Sequence, residues 1–305
     1  FNSMPAESSI TPTGNELQGD ITDAAQAGTY IVSSYKEMQL GKVGNTTIYV
    51  MKGATLKLTN VYELQNNVTI YVMSGATLID PTYDLASAGI TIYNYGTLQF
   101  TNNSKRIAPN QYIYNYGDAN WANSTIVNQG YLYVGGDFKA KAWGGWQGGG
   151  TLYVSGNFEY PNENLAFDGN NYIGGKLSAK NITFINNAKL YNECGVFATQ
   201  EIKITGNNEL HVAYLNAQKL DQCASSNIYL KNNSYINTPN YVNHNAGTAS
   251  IILEGDNAVA YICGNKLHYN QGDGNKNDLK MFRTSGNESK IYVKGGFCEE
   301  WSDNP

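Results

Sequence analysis

A triplet of an apolar residue, a tyrosine and a second apolar residue returns about every twenty positions along this chain. Clear copies are Ile48-Tyr49-Val50, Ile70-Tyr71-Val72, Ile92-Tyr93-Asn94, Ile113-Tyr114-Asn115, Leu132-Tyr133-Val134, Leu152-Tyr153-Val154 and Ile291-Tyr292-Val293. Weaker copies stand at Asn171-Tyr172-Ile173, Leu190-Tyr191-Asn192 and Ile228-Tyr229-Leu230, while Leu210-His211-Val212 and Ile251-Ile252-Leu253 keep the spacing without the tyrosine. From Tyr30 to Tyr191 successive tyrosines lie 19, 22, 22, 21, 19, 20, 19 and 19 residues apart. Such a period marks units too small to bury an apolar face alone. Inside each unit the apolar residues recur at every second position and are mostly strand formers. Gly, Asn, Ser and Asp fill the intervals, as tight corners require. The pattern predicts an all-β fold, a single-stranded right-handed parallel β-helix of about 12–14 rungs.

Alternation turns the first and third residues of each triplet inward and the tyrosine outward. The tyrosines should therefore form a column on one sheet. Asn94, Asn115 and Asn192 occupy the inward third position. A buried amide left without a partner costs roughly 1–3 kcal/mol. These three are read as structural, with Asn94 and Asn115, one rung apart, bonded in a ladder.

Residues 1–27 precede the repeat. Positions 1–14, rich in Ser, Thr, Pro and Gly, read as a tail, and 15–27 as a short capping helix with Asp20 at its N-cap. The solenoid is expected over 28–305, with a rung unreadable near 270 and a long irregular loop around 254–288. No matching cap follows Tyr292, so a further domain or another chain is expected against that end.

Composition narrows the partners. Charged residues make up 15% of the 305 and the formal net charge is −5, with arginine only at 106 and 283. That balance argues against nucleic acid. No stretch has the eighteen or so apolar residues of a membrane span. The chain opens at Phe1 and reads as a trimmed mature piece. Cys194, Cys223, Cys263 and Cys298 lack metal-binding spacing and read as buried free thiols, with one bridge through an irregular loop the alternative in an exported protein.

The repeats Gly-Ala-Thr-Leu at 53–56 and 75–78, Asn-Tyr-Gly at 94–96 and 115–117, and Leu190-Tyr191-Asn192-Glu193-Cys194-Gly195 carry a family likeness. Over roughly residues 28–270 the chain resembles secreted or surface-anchored Bacteroidetes proteins with an Asn/Gly-rich β-helix, of the type that carries a C-terminal LruC domain. The LruC domain itself is missing here. The resemblance implies an exported lipoprotein, anchored by lipid upstream and facing the periplasm or the outer surface, with a role in adhesion. It supplies no catalytic residues and no cofactor.

Chemistry is sparse. Lyases of β-helical shape need a basic residue beside acidic groups, and Arg106 follows Asn-Asn-Ser-Lys105 with no acidic cluster near it in sequence. Asp118, Asp137 and Glu159 fall near one corner on successive rungs and read as a solvated edge. The run Asp273 to Asp278 opens like a calcium loop but lacks the glycine at position six and the glutamate at position twelve, so it reads as turn chemistry. His211 reads as a flat ring replacing a tyrosine in the column, and His244 and His268 have no recognisable partners. Aromatic surface is the strongest site-like signal. Trp121, Trp143, Trp146 and Tyr160 form one cluster, and Tyr133, Tyr153 and His211 lie in the column. The expected function is non-enzymatic adhesion, with a glycan or surface protein bound along this flank and Trp121, Trp143 and Tyr160 exposed in one groove. A polysaccharide lyase or hydrolase and a purely structural spacer are the alternatives.

Overall fold

The computed structural model describes residues 1–84, 89–144, 149–244, 249–270 and 282–300, with side chains omitted at 142–144, 161, 162, 244, 264–270 and 295–300. Nearly every element is a β-strand, and among the described residues every strand pairing is parallel. The fold is a β-solenoid, resolved into two compact units, Phe1–Val154 and Ser155–Pro305.

In the first unit the triplets form one ladder in register. It runs through Thr29–Val32, Thr46–Val50, Val68–Val72, Ile90–Asn94, Gln111–Asn115, Tyr131–Val134 and Thr151–Val154. From Ile48-Tyr49-Val50 onward each triplet pairs with the next at matched positions, so Tyr49, Tyr71, Tyr93 and Tyr114 align. Tyr30 stands one residue out of the column, paired with Ile48 while Ile31 pairs with Tyr49. Ile48, Val50, Ile70, Val72, Leu132 and Leu152 are fully buried. The tyrosines between them are mostly half-exposed, as period-two alternation requires. A second sheet stacks Lys36–Gly41, Thr55–Tyr62, Thr77–Asp80 and Thr97–Phe100, and it ends at that fourth strand.

The inward asparagines behave as the pattern predicts. Asn94 and Asn115 are each 3% exposed, and Asn94 Nδ2 donates to Asn115 Oδ1 at 2.7 Å. Asn115 Nδ2 passes the chain on to the carbonyl of Gly117 at 2.9 Å. Asn192, in the second unit, instead bonds the carbonyls of Ile173 and Gly175 and accepts from the Gly195 N–H.

The N-terminal cap is not the expected helix. Asn15–Glu16 is a short strand on Tyr30–Ile31, and one 3₁₀ turn, Ala24–Gln26, is capped by Asp23 rather than Asp20. The first rung explains why. Its exposed edge presents main-chain groups that need partners. Extended chain supplies them: Leu17 N–H donates to Ile31 O, Ile21 N–H to Gln39 O, and Gly41 N–H to Ile21 O. Asp20 accepts the Gln39 N–H at 2.8 Å, so its carboxylate serves the rung and not a helix. Leu17 and Ile21 close the end of the core.

The second unit repeats the design in Asn170–Ile173, Lys189–Asn192, Glu209–Asn216, Asn227–Asn237, Ser250–Leu253 and Phe282–Thr284. The unreadable rung is Phe282-Arg283-Thr284, which pairs with Ile251-Ile252-Leu253 and carries arginine at the tyrosine position. Tyr292 belongs elsewhere: Ile291-Tyr292-Val293 pairs with Ala260-Tyr261-Ile262, which pairs with Tyr235-Ile236 on a different face. Within the stretch expected to be irregular, Val259–Asn270 forms a strand whose register shifts between Cys263 and Lys266, and residues 271–281 lie outside those described. Among the described residues no helix is long and apolar enough to cross a membrane.

Candidate functional site

Two features of the first unit can bind something: a cleft at the end of the second sheet, and the tyrosine face. The cleft arises where stacking fails. Thr97–Phe100 pairs with Thr77–Asp80 on one side and, among the described residues, with no strand on the other. The following turn, Ala119–Asn128, pairs instead with Ser104–Ile107 and Phe138–Gly144. Trp121 spans the break. Its Nε1–H donates to Leu98 O at 3.1 Å, and its ring packs 4.6 Å from Phe100 and edge-on to Phe138 at 5.7 Å.

Beside Trp121 lies a cleft of about 490 Å³, bordered by Thr97, Gln99, Thr101, Asn120, Asn123 and Ser124. Amides and hydroxyls that both donate and accept dominate it, over the Phe100 and Trp121 rings. Among the described residues its lining holds one ionisable side chain, Asp118. That carboxylate already accepts the Asp137 N–H at 2.7 Å.

Trp121 therefore sits at a cleft, but not as an exposed platform. It is 6% exposed. An unpaired carbonyl at the sheet edge and two neighbouring phenyl rings draw the indole inward, where only its margin borders the cleft. Tyr160 is half-buried in the second unit, on a strand whose register sets it opposite Ala179. The Trp143 side chain and Trp146 lie outside the described residues, as do the run 273–278 and the side chains of His244 and His268.

On the tyrosine face, Tyr49, Tyr71, Tyr93 and Tyr114 stack at 4.9–5.0 Å with interplanar angles of 10–14°. Tyr133 and Tyr153 stack at 4.9 Å. Tyr131 interrupts the column, with Tyr114 tilted against it at 5.4 Å. In the second unit His211 stacks between Tyr191 at 4.7 Å and Tyr229 at 4.5 Å, as a ring substituting for tyrosine should. Its Nε2 lies 2.8 Å from Glu209 Oε1. This hydrogen bond is the main reason the Glu209 carboxyl sits below its ordinary range.

Residues 1–7 lie along this face in the first unit, which composition did not foretell. The Phe1 ring rests 5.7 Å from Tyr153, Tyr131 Oη donates to Asn2 O at 2.8 Å, and Tyr95 Oη donates to Pro5 O at 2.6 Å. Ser74 gives both its N–H and its hydroxyl to the Glu7 carboxylate. Burial pushes the Tyr95 and Tyr131 hydroxyls up to about 12, which keeps them proton donors. Tyr95 is the middle residue of the first Asn-Tyr-Gly motif, so the signal was visible as a second tyrosine two positions beyond Tyr93.

The arginine and lysine of the Ser-Lys-Arg run do have acidic partners, contributed by the preceding turn. Lys105 Nζ is 2.6 Å from Asp80 Oδ2 with both side chains fully buried, and Arg106 pairs with Asp84 at 3.4 Å. The described thiols of Cys194, Cys223 and Cys263 are free but not buried: Cys194 is exposed and the other two half-buried. Among the described residues no three His, Cys, Asp or Glu side chains gather as a metal ion would require.

Fold and surfaces together define a parallel β-solenoid protein. No protein-family model, no curated protein and no solved structure matches the chain.

Proposed function

We propose that this chain is a non-enzymatic recognition module of exported, surface-facing character, and that the cleft beside Trp121 binds a neutral carbohydrate. The observation that carries the reading is the lining itself. Gln99, Asn120 and Asn123 offer paired donors and acceptors beside a sheet edge that, among the described residues, pairs with no further strand. Polyhydroxylated ligands match such groups, and an edge strand adds further N–H and C=O groups. A single, already bonded carboxylate favours binding over glycosidic chemistry, which takes two carboxyl groups.

A glycan array probed with the intact chain beside a Gln99→Ala/Asn120→Ala/Asn123→Ala variant tests this. Retention of neutral glycans by the parent, weakened at least about tenfold in the variant, is the expected result, since each lost hydrogen bond is worth about 0.5–1.5 kcal/mol. Failure of the parent to retain any glycan would remove the reading and favour a structural spacer. Cleavage products from a retained glycan would favour the enzyme.

A further inference from the structure

The tyrosine face of the first unit already holds a ligand, and that ligand is a peptide. Residues 1–7 cross five consecutive turns, from Tyr153 through Tyr131, Tyr114 and Tyr95 to Ser74. The dimensions agree. Six residue steps of extended chain cover about 20 Å, and four rung spacings cover about 19 Å. The segment thus runs along the stack, perpendicular to the strands, without joining any sheet.

The way it is held is characteristic of peptide recognition and not of core packing. Two tyrosine hydroxyls donate to main-chain carbonyls, those of Asn2 and Pro5. One carboxylate, Glu7, is read by an N–H and a hydroxyl of the same residue, Ser74. One aromatic ring, Phe1, lies against Tyr153 while remaining 60% exposed. Behind the segment, residues 11–13 make no hydrogen bond among the described residues. The chain then turns at Gly14, whose φ of +115° and contact with the Thr29 carbonyl (a Cβ would lie 2.2 Å from that oxygen) admit no side chain. A docked segment on an unattached tether is free to exchange with an identical one.

We propose that Ser74, Tyr95, Tyr131 and Tyr153 form a binding site for an extended peptide bearing an aromatic residue six positions before a carboxylate. Its ligand is the N-terminal segment, taken in cis from the same chain or in trans from a second copy. The contacts are the same in both forms, so the balance between them is set by the effective concentration of the tether, on the order of millimolar for a short flexible linker. This site is separate from the cleft and does not depend on it.

The probe is a synthetic peptide of residues 1–10 labelled at its C-terminus, titrated by fluorescence anisotropy into three full-length chains. The parent should bind weakly because its own segment competes. A Phe1→Ala/Glu7→Gln chain, altered only in the segment, should bind at least about tenfold more tightly. Adding Ser74→Ala and Tyr131→Phe to that chain should abolish the gain. Equal binding by the parent and the segment variant would overturn the proposal. So would a gain that survives Ser74→Ala and Tyr131→Phe, since the peptide would then be binding elsewhere.

Discussion

Lys105 and Asp80 meet at 2.6 Å with neither side chain reaching solvent. Thr82 supports the pair through its N–H and hydroxyl to the Asp80 carboxylate, and the ammonium lies 5.3 Å from the Phe100 ring centroid. A buried charge deprived of its partner costs about 3–5 kcal/mol, whereas apolar replacement of both partners is often close to neutral. Lys105→Met is thus expected to lower stability by about 3–5 kcal/mol in urea titration, and adding Asp80→Leu to recover much of that loss. The neighbouring Arg106–Asp84 pair, which reaches solvent, should contribute little by comparison. Neither pair was readable along the chain, because the acid and the base stand 25 and 22 residues apart and meet only when one turn is laid on another.

Among the elements, the tyrosine ladder is the repeated motif and the most readily tested. Tyr93 stacks on Tyr71 below and Tyr114 above. Each aromatic pair is worth about 0.5–1.5 kcal/mol, so Tyr93→Ala should cost about 1–3 kcal/mol from stacking alone. Tyr93→His should retain most of it, as His211 does between its two tyrosines, and denaturant midpoints of the three proteins would show the order. This ladder was legible beforehand, since a strict period and a two-residue alternation determine both register and facing. The asparagine ladder was legible for the same reason: its members occupy an inward position, where an amide must find a hydrogen-bond partner. The cleft was not, because it arises from a missing pairing, and a sequence displays repeats better than their interruption. Trp121 was expected to be exposed in a groove, yet it is buried against the Leu98 carbonyl that the interruption leaves open. The cap was misread as a helix because Asp20 suits an N-cap, and only the demand of the first rung for main-chain partners draws the segment out as extended chain.

For the whole molecule, alkaline pH is the natural probe. Burial raises the hydroxyls of Tyr71, Tyr93 and Tyr114, carries Tyr95 and Tyr131 to about 12, and raises the fully buried Tyr241 as well. Unfolded tyrosine ionises near 10. Between about pH 10 and 12 the folded chain therefore holds more protons than the unfolded one, and stability falls as pH rises through that window. Melting temperature should be nearly level from about pH 8 to 9.5 and then decline steeply, in step with tyrosinate absorbance. A level profile to pH 12 would contradict the burial described for these rings. The segment over the tyrosine face bears on a different matter, the order of assembly. Solenoid turns ordinarily depend on their neighbours alone and can form one after another as the chain emerges. Phe1, however, meets Tyr153, and Asn2 meets Tyr131. Residues 1–7 cannot dock until the turn that carries Tyr153, some 150 residues further on, has formed. Once docked, they bind together five turns that would otherwise fray separately, so residues 1–7 are the last part of this unit to be secured.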